Sequence, residues 1–205
     1  MTVRLYLAST SPARLSLLRA AGVEPILISP GVDEDEEVAL ESTRLGRALT
    51  ATETVRLLAR AKAEAVIGMT VDGQPIDGFV LGGDSVFEIE GDVLGKPHDP
   101  LVATERWRQM ARVGHGTLHS GHHLLDHRGG RPGTGHTESA RADLTFAADV
   151  SDAEIARYVD SGEPLEVAGA FTIDGLASAF ITSIVGTPSA VVGLSIPLVR
   201  AILRE

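Results

Sequence analysis

Cysteine is missing from the 205 residues of this chain. Its absence excludes disulfides, thiolate metal sites and a cysteine nucleophile at once. Aromatic residues are scarce, at 4%. A stacking platform for single-stranded nucleic acid needs several ring faces, so that class is disfavoured. Positive charge is also short: 18 Lys and Arg against 28 Asp and Glu give a formal net charge of −10. An acidic chain gains no counterion-release affinity for nucleic acid polymers. It can still bind a small polyanion where a few cations and a metal ion line a local pocket. No apolar run reaches the roughly 18 residues of a membrane span, and the opening MTVRLYLASTSP lacks the apolar core of a signal peptide. These absences lead to the expectation of a cytoplasmic protein with neither membrane nor nucleic-acid-polymer partners.

What remains is ordinary for a globular chain: 43% apolar and 22% charged residues, in a length that allows one large domain with a substantial core. VRLYLA (3–8) reads as a buried strand. Residues 12–21 read as a helix, with Leu15, Leu18 and Ala21 on one face and Gly22 as its stop. EPILIS (24–29) is a second strand, and the acidic, poorly periodic stretch from Gly31 to about Leu45 reads as a loop. Residues 50–67 carry the longest helical pattern, with Val55, Leu58, Ala61 or Lys62, and Ala65 along one side. FVLGGDSVFEIEGDVLGKP (79–97) reads as strand, break, strand, turn, strand, with Glu90-Gly91-Asp92 turning the hairpin. A helix at 99–111 stops near Gly114. Two strands at 115–127 and 137–147 are joined by RGGRPGTG. A capping box of Ser151 and Glu154 opens a helix at 151–160. FITSIV (180–185) is a strand and SIPLVRAILRE a closing helix. Irregular alternation with at least two hairpins predicts an α/β protein with a mixed, partly antiparallel sheet and flanking helices.

Several residues could carry chemistry. In LASTSPAR (7–14), Ser9, Thr10 and Ser11 join a strand to a helix, with Arg14 one turn in. Hydroxyls cap helices, and Pro12 suits a first turn; the same groups could converge on an anion. Lys96 in GDVLGKP falls short of a P-loop, because the glycine spacing is one short and Pro97 stands where Ser or Thr should bind magnesium. A surface lysine and a phosphate contact both fit it. Asp84, after Gly82 and Gly83 and an apolar strand, fits a carboxylate presented at a strand end, or a turn residue. The run Asp33, Glu34, Asp35, Glu36, Glu37 is mostly a solvated face, yet one such carboxylate with Asp84 would make a magnesium site. Six of seven histidines fall at 115–136. On a strand, His119 and His123 stand about 13 Å apart, too far to share a zinc that needs nitrogens about 2 Å away. Ser11 and Ser85 sit in no Gly-x-Ser-x-Gly elbow.

The order LASTSPARLSLLRAAG, VDE, ARAKA, LGGDSVFEIEGDVLGKP, YVDSGEPLEVAGAFTIDG, VVGLSIPLV resembles the Maf family of nucleoside triphosphate pyrophosphatases over nearly the whole chain. The resemblance implies one domain, 1–205, with two lobes around a central cleft. It implies hydrolysis of a nucleoside triphosphate to the monophosphate and pyrophosphate, dependent on a divalent cation (Mg2+ or Mn2+). Family members are often dimers, which implies a homodimer, and are associated with clearing non-standard or modified nucleotides and with cell division. Carried over by position, the phosphate-binding residues are Ser9, Arg14, Lys62 and Lys96. The metal-binding acid is Glu34 and the catalytic aspartate, also a metal ligand, is Asp84. Three positions tied to substrate choice depart from the common pattern: Ala13 where SPRR has arginine, Ser85 where threonine is frequent, and Asp174 where GIQG has glutamine. Two other readings stay open. One is a catalytically weak nucleotide-binding regulator, kept alive by Ala13; the other is a histidine-rich metal-binding protein.

Overall fold

A computed structural model describes residues 3–204 of the protein. In chain order the elements are β1 (Leu5–Ala8), α1 (Pro12–Ala20), β2 (Ile26–Ile28), α2 (Glu34–Leu45), α3 (Ala51–Ala65), a small ribbon of β3 (Thr70–Val71) and β4 (Gln74–Pro75), β5 (Gly78–Ile89) and β6 (Asp92–Leu94). There follow α4 (Pro100–Val113), β7 (His115–His127), β8 (Gly135–Phe146), α5 (Asp152–Asp160), β9 (Ile181–Gly186), α6 (Pro188–Val192) and α7 (Ile196–Ile202). The main sheet has seven strands in the order β2-β1-β5-β7-β8-β9, with β6 also on β5. β1 runs parallel to β2 and β5; the other pairs are antiparallel. This is the mixed sheet with flanking helices that the sequence pattern predicts.

Period-two alternation assigns the two faces. On β1, Leu5 and Leu7 join one apolar cluster with Leu18, Leu81 and Leu194, while Tyr6 and Ala8 join another with Ala63, Val66 and Val80. A third, aromatic cluster gathers Phe87, Trp107, Phe146, Tyr158 and Phe171 around α4 and α5. Every α-helix but α6 opens on a side-chain cap. Ser11 accepts from the Arg14 N–H, and the capping boxes of Thr50 with Glu53 and Ser151 with Glu154 are both formed.

Two expectations fail. The stretch from Gly31 to Leu45 is not a loop but carries α2. Asp33 caps it by accepting from the Glu36 N–H, four acidic residues fill its first turn, and Gly46 closes it in the left-handed region. Carboxylates there complement the positive end of the helix dipole. No α2 residue is buried, so the helix has none of the apolar periodicity by which helices are usually read. Nor does the chain break at Gly82-Gly83. β5 is one continuous strand of 12 residues, and Asp84 lies in its middle, not at its end. In α3 the buried face runs through Val55, Leu58, Ala59, Lys62 and Ala63, with Ala65 exposed.

One edge of β5 is only partly paired. β1 pairs with β5 over Phe79–Gly82, and β6 pairs with it over Phe87–Ile89. Between them, Gly83 to Val86 have β7 along one edge and, among the described residues, no strand along the other. The Phe79 N–H donates to Arg4 on the β1 side. Alternation along the unbroken ladder turns the N–H and C=O groups of Gly83 and Ser85 the same way, into the gap.

Glycine is required where α3 crosses this region. A Cβ on Gly82 would collide with the Ala59 carbonyl oxygen, and one on Gly121 of β7 with the Val55 carbonyl oxygen. The helix backbone therefore rests directly on two strands. Gly121→Ala should cost about 1–3 kcal/mol by overpacking, lowering the melting temperature by roughly 2–12 °C in a chain of this size. Gly95→Ala, where an added Cβ meets nothing within 4 Å, serves as the control. Thermal unfolding of both variants checks this, and a Gly121→Ala protein melting with wild type would contradict it.

Candidate functional site

A cleft of about 980 Å3 opens over the gap, with Asp84, Ser85 and Val86 in its lining. Neighbours on β5 face opposite sides of the sheet, so two polar clusters meet there. On the α3 side, the buried Lys62 ammonium lies 2.7 Å from Asp84 Oδ1 and 2.6 Å from Glu34 Oε1. Lys62 and Asp84 are less than a tenth exposed, whereas the Glu34 side chain is half exposed at the start of α2. Burial pushes the Asp84 carboxyl above its ordinary value, although Lys62 and Arg14 pull the other way.

On the other side, the buried Arg14 guanidinium spreads across three elements. Its Nε donates to the Gly193 carbonyl at 3.0 Å, Nη1 to Ser9 Oγ at 3.1 Å and Nη2 to Ser85 Oγ at 3.1 Å. Ser85 and Ser120 share a hydrogen bond of 2.8 Å, and the Ser120 hydroxyl donates to the Ala190 carbonyl. Among the described residues no carboxylate lies within ion-pair distance of Arg14. Burial pushes it below its ordinary value, opposed by the charges of Asp84 and Glu34. It is a buried cation held by neutral acceptors, an arrangement that favours an anion nearby. The two readings of LASTSPAR are thus compatible: Ser11 caps α1, while Ser9 and Arg14 bond to each other at the cleft.

Lys96, Asp174 and Ala13 line the same cleft. Lys96 follows β6 and is half exposed, 3.9 Å from Glu166 Oε2. Every site residue read from the sequence therefore borders one cavity. Glu34 and Asp84 offer hard oxygen ligands that already share one cation. Among the described residues no group of three or more His, Asp or Glu could hold a metal ion alone. Two carboxylates, with water and phosphate completing the shell, match the habit of magnesium, so the donor set fits a divalent cation bound together with a phosphate ligand.

Comparisons with known proteins identify the family. The model of the family described as Maf-like protein matches residues 4–205. The chain belongs to the Maf-like family. A protein of Leifsonia xyli named nucleoside triphosphate pyrophosphatase is 56% identical over 204 residues, 99% of this chain and 93% of its own. Proteins of the same name from Salinispora tropica and Thermosynechococcus vestitus are 46% and 45% identical, covering 100% and 98% of this chain and 84% and 92% of theirs. The solved Staphylococcus aureus Ham1 protein shares the fold, with a TM-score of 0.51 and 13% identity over 98% of each chain.

Some neighbours of this Maf-like site were not read from the sequence. His98, at a positive φ of 58°, sits 3.1 Å from Glu166, and both border the cleft beside Lys96. Ser120 lies 35 residues beyond the Ser85 it bonds, a distance no local pattern bridges. Of the histidines, His119 faces Glu88 and Thr52, and His123 bonds Thr137. Among the described residues no helix is long and apolar enough to cross a membrane.

His122 serves the fold beneath Arg14. It is fully buried, and its Nε2 accepts from the Ser195 N–H at 2.8 Å, at the start of α7. Burial and the Arg14 charge push its pKa down from 6.5 to about 4. The unfolded chain therefore binds this proton more readily. Stability from this group is complete above pH 6.5 and is lost as pH falls toward 4. His122→Gln retains an acceptor but does not titrate. Between pH 7 and pH 4.5 wild type should lose roughly 2–3 kcal/mol more than this variant. Urea unfolding at both pH values measures the difference, and equal losses would contradict a neutral buried His122.

Proposed function

We propose that this protein hydrolyses a nucleoside triphosphate to the monophosphate and pyrophosphate with the help of Mg2+ or Mn2+. One observation carries the reading: a buried carboxylate, Asp84, converges with a buried ammonium and a buried guanidinium in one cleft. The shared name of relatives up to 56% identical supports it, and as a family member the chain is a nucleoside triphosphate pyrophosphatase. The whole chain, 1–205, would act as one domain with a lobe on each side of the cleft. The reading extends to a homodimer, a cytoplasmic setting and removal of non-standard nucleotides, with no nucleic acid polymer or membrane as partner.

The chemistry requires water to attack phosphorus at the linkage between the first and second phosphates. A P–O bond to water forms, the bridging P–O bond breaks, and pyrophosphate leaves with the electron pair. Lys62 engages Oδ1 of Asp84, leaving the carboxylate's other oxygen to orient the water and accept its proton. Arg14, Lys62 and Lys96 offset the charge that builds on the leaving pyrophosphate, while Ser9 holds a phosphate oxygen and keeps Arg14 aimed. Glu34 and Asp84 would hold the divalent cation, which supplies further neutralisation of phosphate charge. Ala13, Ser85 and Asp174 border the cleft where the base would be selected. Ala13 removes a cation that the common family pattern carries. Asp174 accepts hydrogen bonds but cannot donate while ionised, so it favours base edges rich in N–H groups.

The test is a panel of standard and modified triphosphates with magnesium or manganese, reading pyrophosphate against orthophosphate. Orthophosphate as the product, or no turnover of any triphosphate, would sink the reading. Asp84→Asn should lower turnover by roughly 100-fold or more while the fold persists. Near-wild-type activity in a folded Asp84→Asn protein would remove Asp84 from the mechanism.

The specificity positions carry a separate expectation. Ala13→Arg combined with Asp174→Gln should move preference toward dTTP and UTP. The two changes belong together because residues sharing one substrate need not act additively. Ratios of kcat/KM across triphosphates measure it; an unchanged ratio in an active double mutant would deny these positions a role in selection.

A further inference from the structure

Glu163 lies outside the cleft lining, yet it gathers the segment that carries Asp174. Its Oε1 accepts from the Thr172 hydroxyl at 2.7 Å and the Tyr158 hydroxyl at 3.0 Å, and its Oε2 accepts from the Leu176 N–H at 2.9 Å. The Ala177 N–H points at Oε1 from 3.4 Å. Gly175 presses on the same carboxylate: a Cβ there would stand 2.6 Å from both oxygens. Asp174 is thus bracketed by a residue that bonds Glu163 on one side and a residue in contact with it on the other. Tyr158 is itself buried against Trp107 and Phe180 in the aromatic cluster. The tether therefore runs from that core, through one carboxylate, to the cleft wall formed by Thr172, Ile173 and Asp174.

A carboxylate accepting several hydrogen bonds is rigid in a way a single bond is not, and charge-assisted bonds are the stronger kind. Burial pushes the Glu163 carboxyl up, but the donors on Leu176, Thr172 and Tyr158 outweigh it and hold it below its ordinary value. We infer that Glu163 is a positioning residue for substrate selection, fixing the 172–176 segment so that Asp174 meets the base at one set distance and angle. The inference rests on the triphosphate reading for what Asp174 meets. It adds a residue that touches no substrate and governs discrimination, as distinct from phosphate handling.

The experiment compares wild type, Glu163→Gln and Tyr158→Phe. Glutamine matches the shape but turns an amide N–H2 toward donors. Phenylalanine keeps the aromatic core and deletes one tether from outside the cleft. For each protein kcat/KM is measured on the best and second-best triphosphate, together with inhibition by pyrophosphate, which reads the phosphate end alone. The expected result is a ratio shifted by about threefold or more in Glu163→Gln, with pyrophosphate inhibition unchanged within about twofold. A residue that merely supports the fold would lower every substrate alike and leave the ratio where it was; that result overturns the inference. Should Glu163→Gln not fold, Tyr158→Phe decides, its ratio moving in the same sense or the inference failing. Should wild type turn over no triphosphate, the proposed function fails separately. The ratio is then read in dissociation constants for two nucleoside monophosphates, with the same two outcomes.

Discussion

One ammonium held between two carboxylates sets the terms for the rest of the cleft. Lys62 reaches Asp84 only because α3 lies against β5 and β7 with no side chain between backbones, at Gly82 and Gly121. A larger residue at either point would lift the helix and draw the ammonium off a buried carboxylate. A buried charge stripped of its partner is among the most destabilising arrangements in a protein interior. Close packing and charge pairing are therefore one constraint here. The same ammonium holds Glu34 at the N-terminus of α2, so the least buried helix is fastened to the most tightly packed one.

Strand geometry explains how two cations come to share one cavity. Asp84 and Ser85 point to opposite faces of β5 and would ordinarily be separated by the thickness of a sheet. At the gap between β1 and β6, among the described residues, no strand closes the edge. Lys62 with Asp84 from one face, and Arg14 with Ser85 from the other, therefore border the same space. The site is made as much by a missing stretch of strand as by the side chains around it.

How much of this could be read from the chain alone follows from the range of each interaction. Local chemistry was legible: the Ser11 cap before α1, the capping box of Ser151 and Glu154, the turn at Glu90-Gly91, and the long buried face of α3. Motif order also named a set of residues spread along the chain, and all of them border one cleft. What escaped depended on something other than pattern. α2 has no apolar stripe because nothing on it is buried; its cap, its acidic first turn and its Gly46 stop were the signals that could have revealed it. Gly82-Gly83 read as a break because glycine usually weakens strands, while here the backbone of α3 at Ala59 demands glycine at Gly82, and the Arg14 and Leu194 side chains crowd Gly83. Ser120 beneath Ser85, and His98 beside Glu166, are joined by tertiary contact alone.

An unpaired strand edge is normally a hazard, since its free N–H and C=O groups invite a strand from another molecule. The open edge of β5 is spared that fate by its shortness. Among the described residues only Gly83 to Val86 lack a strand on that side, with β1 at one end and β6 at the other, whereas strands commonly run to five or six residues. So short a stretch offers another strand too few N–H and C=O groups to pair with. The gap that brings both faces of β5 to one cleft is thus also too short to act as a pairing edge.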